Sequence, residues 1–513
     1  MKAGLFARRR PRGRAAAAGV LVAGALFFAA RPAAAIKPAR PAAAKKPARP
    51  LSLEERLLAI AMRPPVRPKS EAGIWVARVG DPTPVVAVNA DRPLVLASTT
   101  KLFTSAAALD LLGPDYRFRT RLYRDAPVAP DGTLQGPLIV VGGGDPALSG
   151  RLYDDDPLAV FRPWAESLNR QGIRAVRDGL LLDTSFFDDA RTHPDWPPEQ
   201  EQRWYQAPVS ALSYNDNVVL VRASGARRPG APALLGFHPA GPYLLSLLSR
   251  VSTATSRTWV GVHREAGSRT VVAAGTVGRN RTWTGDVTVP DPPLYFASAF
   301  TRVLKEGGIQ VEAPPTELTQ APAGPDPFPG RVLLHTHETP AVTVLSVANK
   351  RSQSFFSEQI LKTLGAEKRG MGSWENGVAE VKEFLRSRGL DPARYELADG
   401  SGRSRNNRAS ARAYGEFLQS LATSWPLFPE FERTMAVSGD PEGTLRHRLL
   451  GDATVGKVVA KTGNISGVVT LCGYLTARSG QRYVFTILLN GGISEKRGHA
   501  WQDRFLVELA KFG

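Results

Sequence analysis

The residues best suited to chemistry in this 513-residue chain begin with Ser98-Thr99-Thr100-Lys101. Side chains three positions apart share a face of a helix, so this spacing places the Lys101 amine beside the Ser98 hydroxyl. A serine hydroxyl is a poor nucleophile until a neighbouring base removes its proton. Lysine can be that base if burial lowers its pKa, and the apolar run 102–112 predicts a buried helix. An isolated match more often marks a capping serine followed by a solvated lysine.

A second group of candidate residues, Lys461-Thr462-Gly463 followed by Asn464, closes a predicted strand. Glycine at this place lets a substrate backbone lie close to the strand edge. The lysine supplies a second positive charge, and both the ammonium and the threonine hydroxyl can hold a carboxylate. On its own, the pattern is also that of a strand ending in a tight turn.

The third group is a serine-rich turn, Ser352-Gln353-Ser354, at the start of a helical segment. A serine hydroxyl can both donate and accept a hydrogen bond. The same residues also suit a plain helix N-cap.

The elements that must position these groups are those of an α/β protein. Helical periodicity at 53–62 is followed by a predicted strand pair, 73–79 and 84–89, and then by the helix that starts near Ser98. From about 117 to 333, short alternating segments broken by Gly, Pro and Asp predict a β-rich insertion. The insertion is either one domain or two nested ones, the inner spanning about 218–283.

Helices predicted over 341–365 and 373–389 and strands over 455–461, 468–476 and 483–490 resume the first domain. The predicted domains are therefore a signal peptide at 1–35, a disordered Pro/Ala/Lys tether at 36–50, the first part of the main domain at 51–116, the β-rich insertion at 117–333 and the second part at 334–513.

The charge of the chain does not indicate nucleic-acid binding. Of the formal net charge of +19, residues 1–50 supply twelve positive charges and no negative ones, which leaves +7 for residues 51–513. No basic run there is interleaved with stacking aromatic residues. A weakly positive surface still suits an anionic polymer such as the cell wall.

Neither a metal site nor a disulfide is predicted. The seven histidines form no ligand-spacing motif, and His335 and His337 alternate on a strand-like stretch. Cys472 is the one cysteine of the chain, and its apolar neighbours predict a buried thiol in a strand.

The N-terminus predicts export to the periplasm or cell envelope. A basic segment precedes the apolar run 15–30, and Ala33-Ala34-Ala35 offers small residues for cleavage. An uncleaved membrane anchor is the alternative. The apolar run is shorter than the ~20 residues of a spanning helix, and Arg31 ends it, which favours cleavage.

In this order, the SxxK, serine-turn and KTG motifs resemble the active-site triplet of serine penicillin-recognising enzymes. Longer stretches narrow the resemblance to the D-alanyl-D-alanine carboxypeptidase/endopeptidase family, the class C low-molecular-mass penicillin-binding proteins. These stretches are LVLASTTKLFTSAAAL, VGGGDPALS, LLDTSFFD, WYQAPVSALSYNDN, VANKRSQSFFSEQILKTLG, DGSGRSRNNRAS, GTLRHRL and KVVAKTGNISGV. Together they cover most of residues 70–500.

The resemblance implies a transpeptidase/β-lactamase-like domain, an antiparallel sheet flanked by helices, interrupted by the insertion. It implies hydrolysis of D-Ala-D-Ala bonds or cross-links in peptidoglycan stem peptides, without a cofactor, and inhibition by β-lactams. Its implied roles are Ser98 as nucleophile, Lys101 as base, and Ser352 with Lys461 in proton relay to the leaving group. Substrate would contact Ser354, Thr462, Gly463 and Asn464, and the backbone N–H groups of Ser98 and Asn464 would form the oxyanion hole.

The departure from the family pattern is Ser354, where an asparagine is expected. Serine is shorter and has one hydrogen-bond donor where asparagine has two. Loss of one bond made in the transition state costs ~1–3 kcal/mol. The resemblance therefore leaves as alternatives a weakly active enzyme and a non-catalytic protein that binds cell wall or penicillin. A β-lactamase is a third alternative, disfavoured by the large insertion. Carboxypeptidase and endopeptidase activity both stay open.

Overall fold

The computed structural model describes residues 49–239, 245–320 and 330–513. The predicted signal peptide and residues 36–48 of the predicted tether lie outside these ranges. The first helix, α1 (Leu53–Ala61), begins at a capping box, in which the Ser52 hydroxyl accepts from the Glu55 N–H and the Glu55 carboxylate accepts from the Ser52 N–H. The elements that follow, up to the predicted insertion, are β1 (Ala72–Arg78), β2 (Pro84–Val88), β3 (Leu94–Val95) and α2 (Lys101–Leu112).

The next part of the chain is rich in short strands, as its alternating pattern predicts. Its elements are β4 (Arg117–Arg124), β5 (Thr133–Leu134), β6 (Leu138–Val141), α3 (Arg162–Arg170), β7 (Ala175–Val176), β8 (Leu180–Asp183), β9 (Val218–Ser224), β10 (Leu234–His238), β11 (Ser246–Ala254), β12 (Trp259–Arg264), β13 (Thr270–Gly278), β14 (Thr282–Thr288), α4 (Pro292–Glu306), β15 (Gln310–Val311), β16 (Thr316–Leu318) and β17 (Val332–Pro340).

These strands form four sheets. Five strands pair in the order β16-β8-β6-β4-β17, and three in the order β15-β7-β5. The strands between residues 218 and 288 form two further three-stranded sheets, β10-β9-β14 and β11-β13-β12. The limits of the inner domain, about 218–283, stay a prediction. The end of the insertion at 333 also stays a prediction, and strand β17, which pairs with β4, runs across it.

The last part of the chain returns to longer helices and strands. Its elements are α5 (Ala341–Lys350), α6 (Ser354–Arg369), α7 (Trp374–Ser387), β18 (Tyr395–Glu396), β19 (Arg408–Ala409), α8 (Ala411–Ser424), α9 (Phe428–Arg433), β20 (Ala436–Val437), β21 (Val458–Ile465), β22 (Val468–Thr476), β23 (Arg482–Leu489) and α10 (Glu495–Phe512).

The sheet that carries the site joins strands from both ends of the chain. Its order is β2-β1-β23-β22-β21-β20, and every pair in it is antiparallel. Helices α1 and α10 pack against one face, while α2 and α8 belong to the core on the other. Strand β22 is buried along nearly its whole length, and Cys472 lies in it as a buried thiol. The predicted α/β class, an antiparallel sheet flanked by helices, is confirmed.

Two predicted helices differ from the structure, and both differences lie at the candidate site. Ser98 lies in a short 3-10 turn, Ala97–Thr100, and α2 begins only at Lys101. The helix predicted over 341–365 is two helices, because the chain between α5 and α6 passes through a left-handed backbone conformation at Ser352, with φ 57°. A non-glycine residue in this region indicates a conformation imposed by its surroundings.

Candidate active site

The predicted nucleophile and base are neighbours in the structure. Lys101 Nζ lies 3.1 Å from Ser98 Oγ, within hydrogen-bond distance. Ser98 is partly exposed, whereas the Lys101 side chain is fully buried. The 3-10 turn brings the two residues together as closely as a helix would, because residues three apart face the same side in both.

Three oxygen atoms surround the Lys101 amine. Besides Ser98 Oγ, it contacts the backbone carbonyl of Ser401 at 2.7 Å and Ser354 Oγ at 3.4 Å. Burial lowers the pKa of Lys101 to about 8, although the nearby charges of Glu358 and Asp399 oppose this change. Lys101 therefore gives up its proton far more easily than an exposed lysine.

The second lysine holds the serine of the turn. Lys461 Nζ donates to Ser352 Oγ at 2.7 Å and to the carbonyl oxygen of Thr462 at 2.8 Å. Burial and the charge of Lys101 lower the pKa of Lys461 well below its ordinary value. Since the charge of Lys101 disfavours protonation of Lys461, the two lysines are electrostatically coupled.

Gly463 is the point at which strand β21 touches the nucleophile turn. A Cβ atom built on Gly463 would lie 2.1 Å from Thr470 Oγ1 and 3.1 Å from the backbone nitrogen of Ser98. No larger residue fits here without displacing one of these groups. Asn464 is exposed beside this contact, and Thr462 Oγ1 donates to Thr444 Oγ1 at 2.9 Å.

Two buried carboxylates, Glu358 and Asp399, lie behind the lysines, and our reading of the sequence missed Glu358 as a functional candidate. A Glu358 oxygen accepts from Trp374 Nε1 and from the Gly400 N–H, each at 2.9 Å. Burial, together with the charge of Asp399, raises the pKa of Glu358 to about 7. The signal that the sequence offered was an acidic residue close to the two phenylalanines at the start of helix α6.

Asp399 organises the loop that supplies the Ser401 carbonyl. Its carboxylate accepts from the N–H groups of Gly402 at 2.7 Å and Ser404 at 2.6 Å, and from Trp196 Nε1 at 2.9 Å. A Cβ on Gly402 would lie 1.8 Å from the carbonyl oxygen of Ala97, so this loop packs directly on the nucleophile turn. In the sequence, Asp399 opens a stretch that resembles a family loop near the active site, although a plain turn explains its residue types equally well.

These groups open onto a cleft of about 1210 Å³. The predicted residues Ser98, Ser352, Ser354, Thr462 and Asn464 line it, whereas Lys101, Lys461 and Gly463 lie behind its surface. Its charged lining is mostly basic and consists of Arg203, Arg351, Arg403, Arg446 and Arg448 against Glu199 and Glu495. The cleft is suited to an anionic substrate group.

The described ranges contain no cluster of three or more His, Cys, Asp or Glu side chains that could hold a metal ion. Over the same ranges, no helix is both long and apolar enough to cross a membrane.

Comparison with known proteins identifies the family. The model of the D-Ala-D-Ala carboxypeptidase 3 (S13) family matches residues 53–511. The chain is 32% identical to a D-alanyl-D-alanine carboxypeptidase of Actinomadura sp. (strain R39) over 431 residues, which are 82% of this chain and 77% of that protein. It is 25% identical to the D-alanyl-D-alanine carboxypeptidase DacB of Haemophilus influenzae over 82% of this chain and 86% of that one.

A solved structure shows the same fold. The crystal structure of penicillin binding protein 4 (dacB) from Haemophilus influenzae superposes with a TM-score of 0.76 at 22% identity, covering 89% of this chain and 99% of that one. The match of the family model over nearly the whole folded chain, with the motif residues gathered at one cleft, leads to one conclusion. The chain belongs to the D-Ala-D-Ala carboxypeptidase 3 (S13) family and is a hydrolase, a serine-type D-Ala-D-Ala carboxypeptidase.

Proposed function

We propose that this enzyme cleaves peptidoglycan stem peptides through an acyl-enzyme on Ser98. The observation that carries the proposal is the position of Lys101 Nζ, which is fully buried and 3.1 Å from Ser98 Oγ. In its neutral form, this amine accepts the Ser98 proton as Oγ attacks the carbonyl carbon of the D-Ala-D-Ala bond.

Breaking the C–N bond of the substrate requires a proton for the leaving amine. Ser352, held by Lys461 at 2.7 Å, supplies it as the C–N bond breaks, and it is then reprotonated through the pair of lysines. Water afterwards attacks the Ser98 ester while Lys101 takes a proton from it, that proton returns to Ser98 Oγ as the C–O bond breaks, and the acid product leaves. The N–H groups of Ser98 and Asn464 stabilise the oxyanion, which requires the close approach of strand β21 at Gly463.

The charge of the cleft supports a substrate that ends in a carboxylate. Five arginines line it against two glutamates, although Arg448 is paired with Asp503, and Thr462 lines the same cleft as Ser98. A C-terminal D-alanine supplies such a carboxylate. We assign substrate contacts to Ser354, Thr462, Gly463 and Asn464, and the same arrangement accepts D-Ala cross-links as an endopeptidase substrate.

β-Lactams are expected to acylate the same serine, because the strained lactam carbonyl takes the place of the peptide carbonyl. A related structure, that of Haemophilus influenzae penicillin binding protein 4, was solved in complex with a β-lactam. We further propose that the chain is exported to the periplasm or cell envelope, where peptidoglycan lies. The charged n-region and apolar run of its first 35 residues support this location.

The test is intact-mass analysis of the purified protein after incubation with penicillin, joined to an assay of D-Ala release from a pentapeptide. We expect one adduct per chain, mapped to Ser98, and both signals lost in Ser98→Ala. Ser466→Ala, in another serine of the same cleft, is the matched control and should keep both signals.

The non-catalytic alternative is not favoured by the family match. It would regain support if the protein formed the adduct but released no D-Ala from any stem peptide. Rapid loss of the penicillin adduct would instead favour the β-lactamase alternative.

A further inference from the structure

The net charge of the folded chain is concentrated in one small part of it. Residues 218–288 contain nine arginines, no lysine and two acidic residues, a net charge of +7. This equals the net charge of all residues from 51 to 513, so the rest of that range is neutral in sum. The excess positive charge is therefore concentrated in the part of the chain that forms the two small sheets β10-β9-β14 and β11-β13-β12.

Five of these arginines lie on three turns at one end of the two sheets. The turns are 225–233 after β9, 255–258 after β11 and 279–281 after β13. Backbone hydrogen bonds join them: the Gly225 N–H donates to the Arg281 carbonyl at 2.9 Å, and the Arg279 N–H to the Ala254 carbonyl at 2.8 Å. We call this end the arginine tip; its arginines are Arg227, Arg228, Arg257, Arg279 and Arg281.

The arginine tip points away from the residues that connect the two sheets to the rest of the chain. At the opposite end, the Thr288 N–H donates to the Gln202 carbonyl and the Val289 N–H to the Asn217 carbonyl. Strand β9 has seven residues, so its two ends are about 20 Å apart. The tip is thus the outer end of a projection.

Nothing within the described part of the chain neutralises the tip. All five arginines are exposed, and none forms an ion pair with any residue that the structure describes. The two acidic residues of the segment, Glu265 and Asp286, lie toward the opposite end. Five guanidinium groups held on joined turns repel one another unless an anionic partner is bound.

Two large apolar side chains are exposed at the same end. Leu234 opens strand β10 with 77% of its surface exposed, and Trp259 opens β12 with 64% exposed. A soluble polyanion needs no such residues, whereas a bilayer surface accepts both, because tryptophan and leucine enter the boundary between headgroups and acyl chains. The guanidinium group of an arginine can bind a lipid phosphate through two parallel hydrogen bonds.

We propose that the arginine tip docks on the surface of an anionic lipid bilayer. The arginines bind headgroup phosphates, and Leu234 and Trp259 enter the interface as apolar anchors. This contact is peripheral and reversible, and it is independent of the catalytic assignment, because no cleft residue belongs to the tip.

The test is sedimentation of the full chain with vesicles of phosphatidylglycerol and phosphatidylcholine, compared with phosphatidylcholine alone. The variant R279Q/R281Q should bind the anionic vesicles roughly 30-fold more weakly, since each basic residue near such a surface contributes about a factor of five. W259S should weaken binding about tenfold. The control R250Q/R269Q removes the same charge from β11 and from just before the start of β13, away from the tip, and its loss should stay below about threefold.

The matched control is essential because residues 1–50 carry twelve positive charges of their own. Equal losses in the two double variants would overturn the proposal, as would absence of binding to anionic vesicles. Competition by soluble polyphosphate with no effect of W259S would also overturn it, and would assign the tip to a soluble polyanion. Penicillin acylation of each variant verifies that the protein is folded, and it should be unchanged.

Discussion

Lys461 Nζ and Ser352 Oγ are 2.7 Å apart although 109 positions separate them in the chain. The serine reaches the lysine because the backbone at Ser352 has φ 57°, which ends helix α5 and starts a new direction before α6. A strained residue at this place indicates that the surrounding fold determines the position of the hydroxyl.

We expect Ser352→Ala to slow acylation by penicillin and release of D-Ala by 10²- to 10⁴-fold, the usual contribution of a positioned proton-transfer group. Binding of the substrate should change little, because Lys461 stays in place. Single-turnover kinetics separate the two effects. An unchanged acylation rate would remove Ser352 from the mechanism.

The pKa of Lys101 predicts a pH profile for acylation. The neutral amine is the active base, and burial lowers its pKa to about 8. The value of kcat/KM should therefore rise about tenfold per pH unit below pH 8 and level off above it. Stopped-flow acylation between pH 5.5 and 9.5 measures this. A flat profile through pH 8 would contradict the role of Lys101 as base.

Glu358 is predicted to tune Lys101 without touching substrate. Its charge raises the pKa of the buried lysine, so Glu358→Gln should move the midpoint of the pH profile toward lower pH. Glutamine keeps an acceptor for Trp374 and Gly400. The control is Glu380→Gln, which changes a buried glutamate of helix α7 that pairs with Arg369 at the end of α6. It should leave the midpoint of the pH profile in place. A change in Tm without a shifted midpoint would mean that Glu358 only supports the fold.

Ser354→Asn tests the one departure from the family motif. Ser354 Oγ lies 3.4 Å from Lys101 Nζ, a longer contact than that of Lys101 with the Ser401 carbonyl. Asparagine adds a second donor and greater reach, and one additional transition-state hydrogen bond corresponds to roughly a ten- to hundred-fold gain in rate. Measured D-Ala release should rise accordingly at equal Tm. An unchanged rate would mean that Ser354 already makes the hydrogen bond that asparagine makes in the family motif.

Gly463→Ala should abolish acylation while leaving most of the fold intact. The added methyl group would meet Thr470 Oγ1 and press on the backbone nitrogen of Ser98. Because the oxyanion donors must be placed to within a fraction of an ångström, we expect a loss of at least about 10²-fold in rate. The penicillin adduct and the circular dichroism spectrum measure the two effects separately. Gly451→Ala, where a Cβ meets no neighbouring atom within 4 Å, is the control.

Local sequence was sufficient for the parts of the site that depend on local geometry. The spacing of Ser98 and Lys101 fixes their contact, because any tight right-handed turn places residues three apart on one face. Alternating and helical periodicity likewise identified the β-rich middle of the chain and the strands of the main sheet. The α/β class followed from those patterns.

Tertiary structure decided the electrostatics of the site. The pKa of Lys101 depends on burial and on Glu358 and Asp399, and its shortest polar contact comes from Ser401, 300 positions away. The backbone at Ser352 also depends on the fold, since the sequence indicates a serine-rich turn there but only the surrounding structure holds φ at 57°. Through-space distance in a low-dielectric interior determines the pKa of Lys101, and no pattern of neighbouring residues contains that distance.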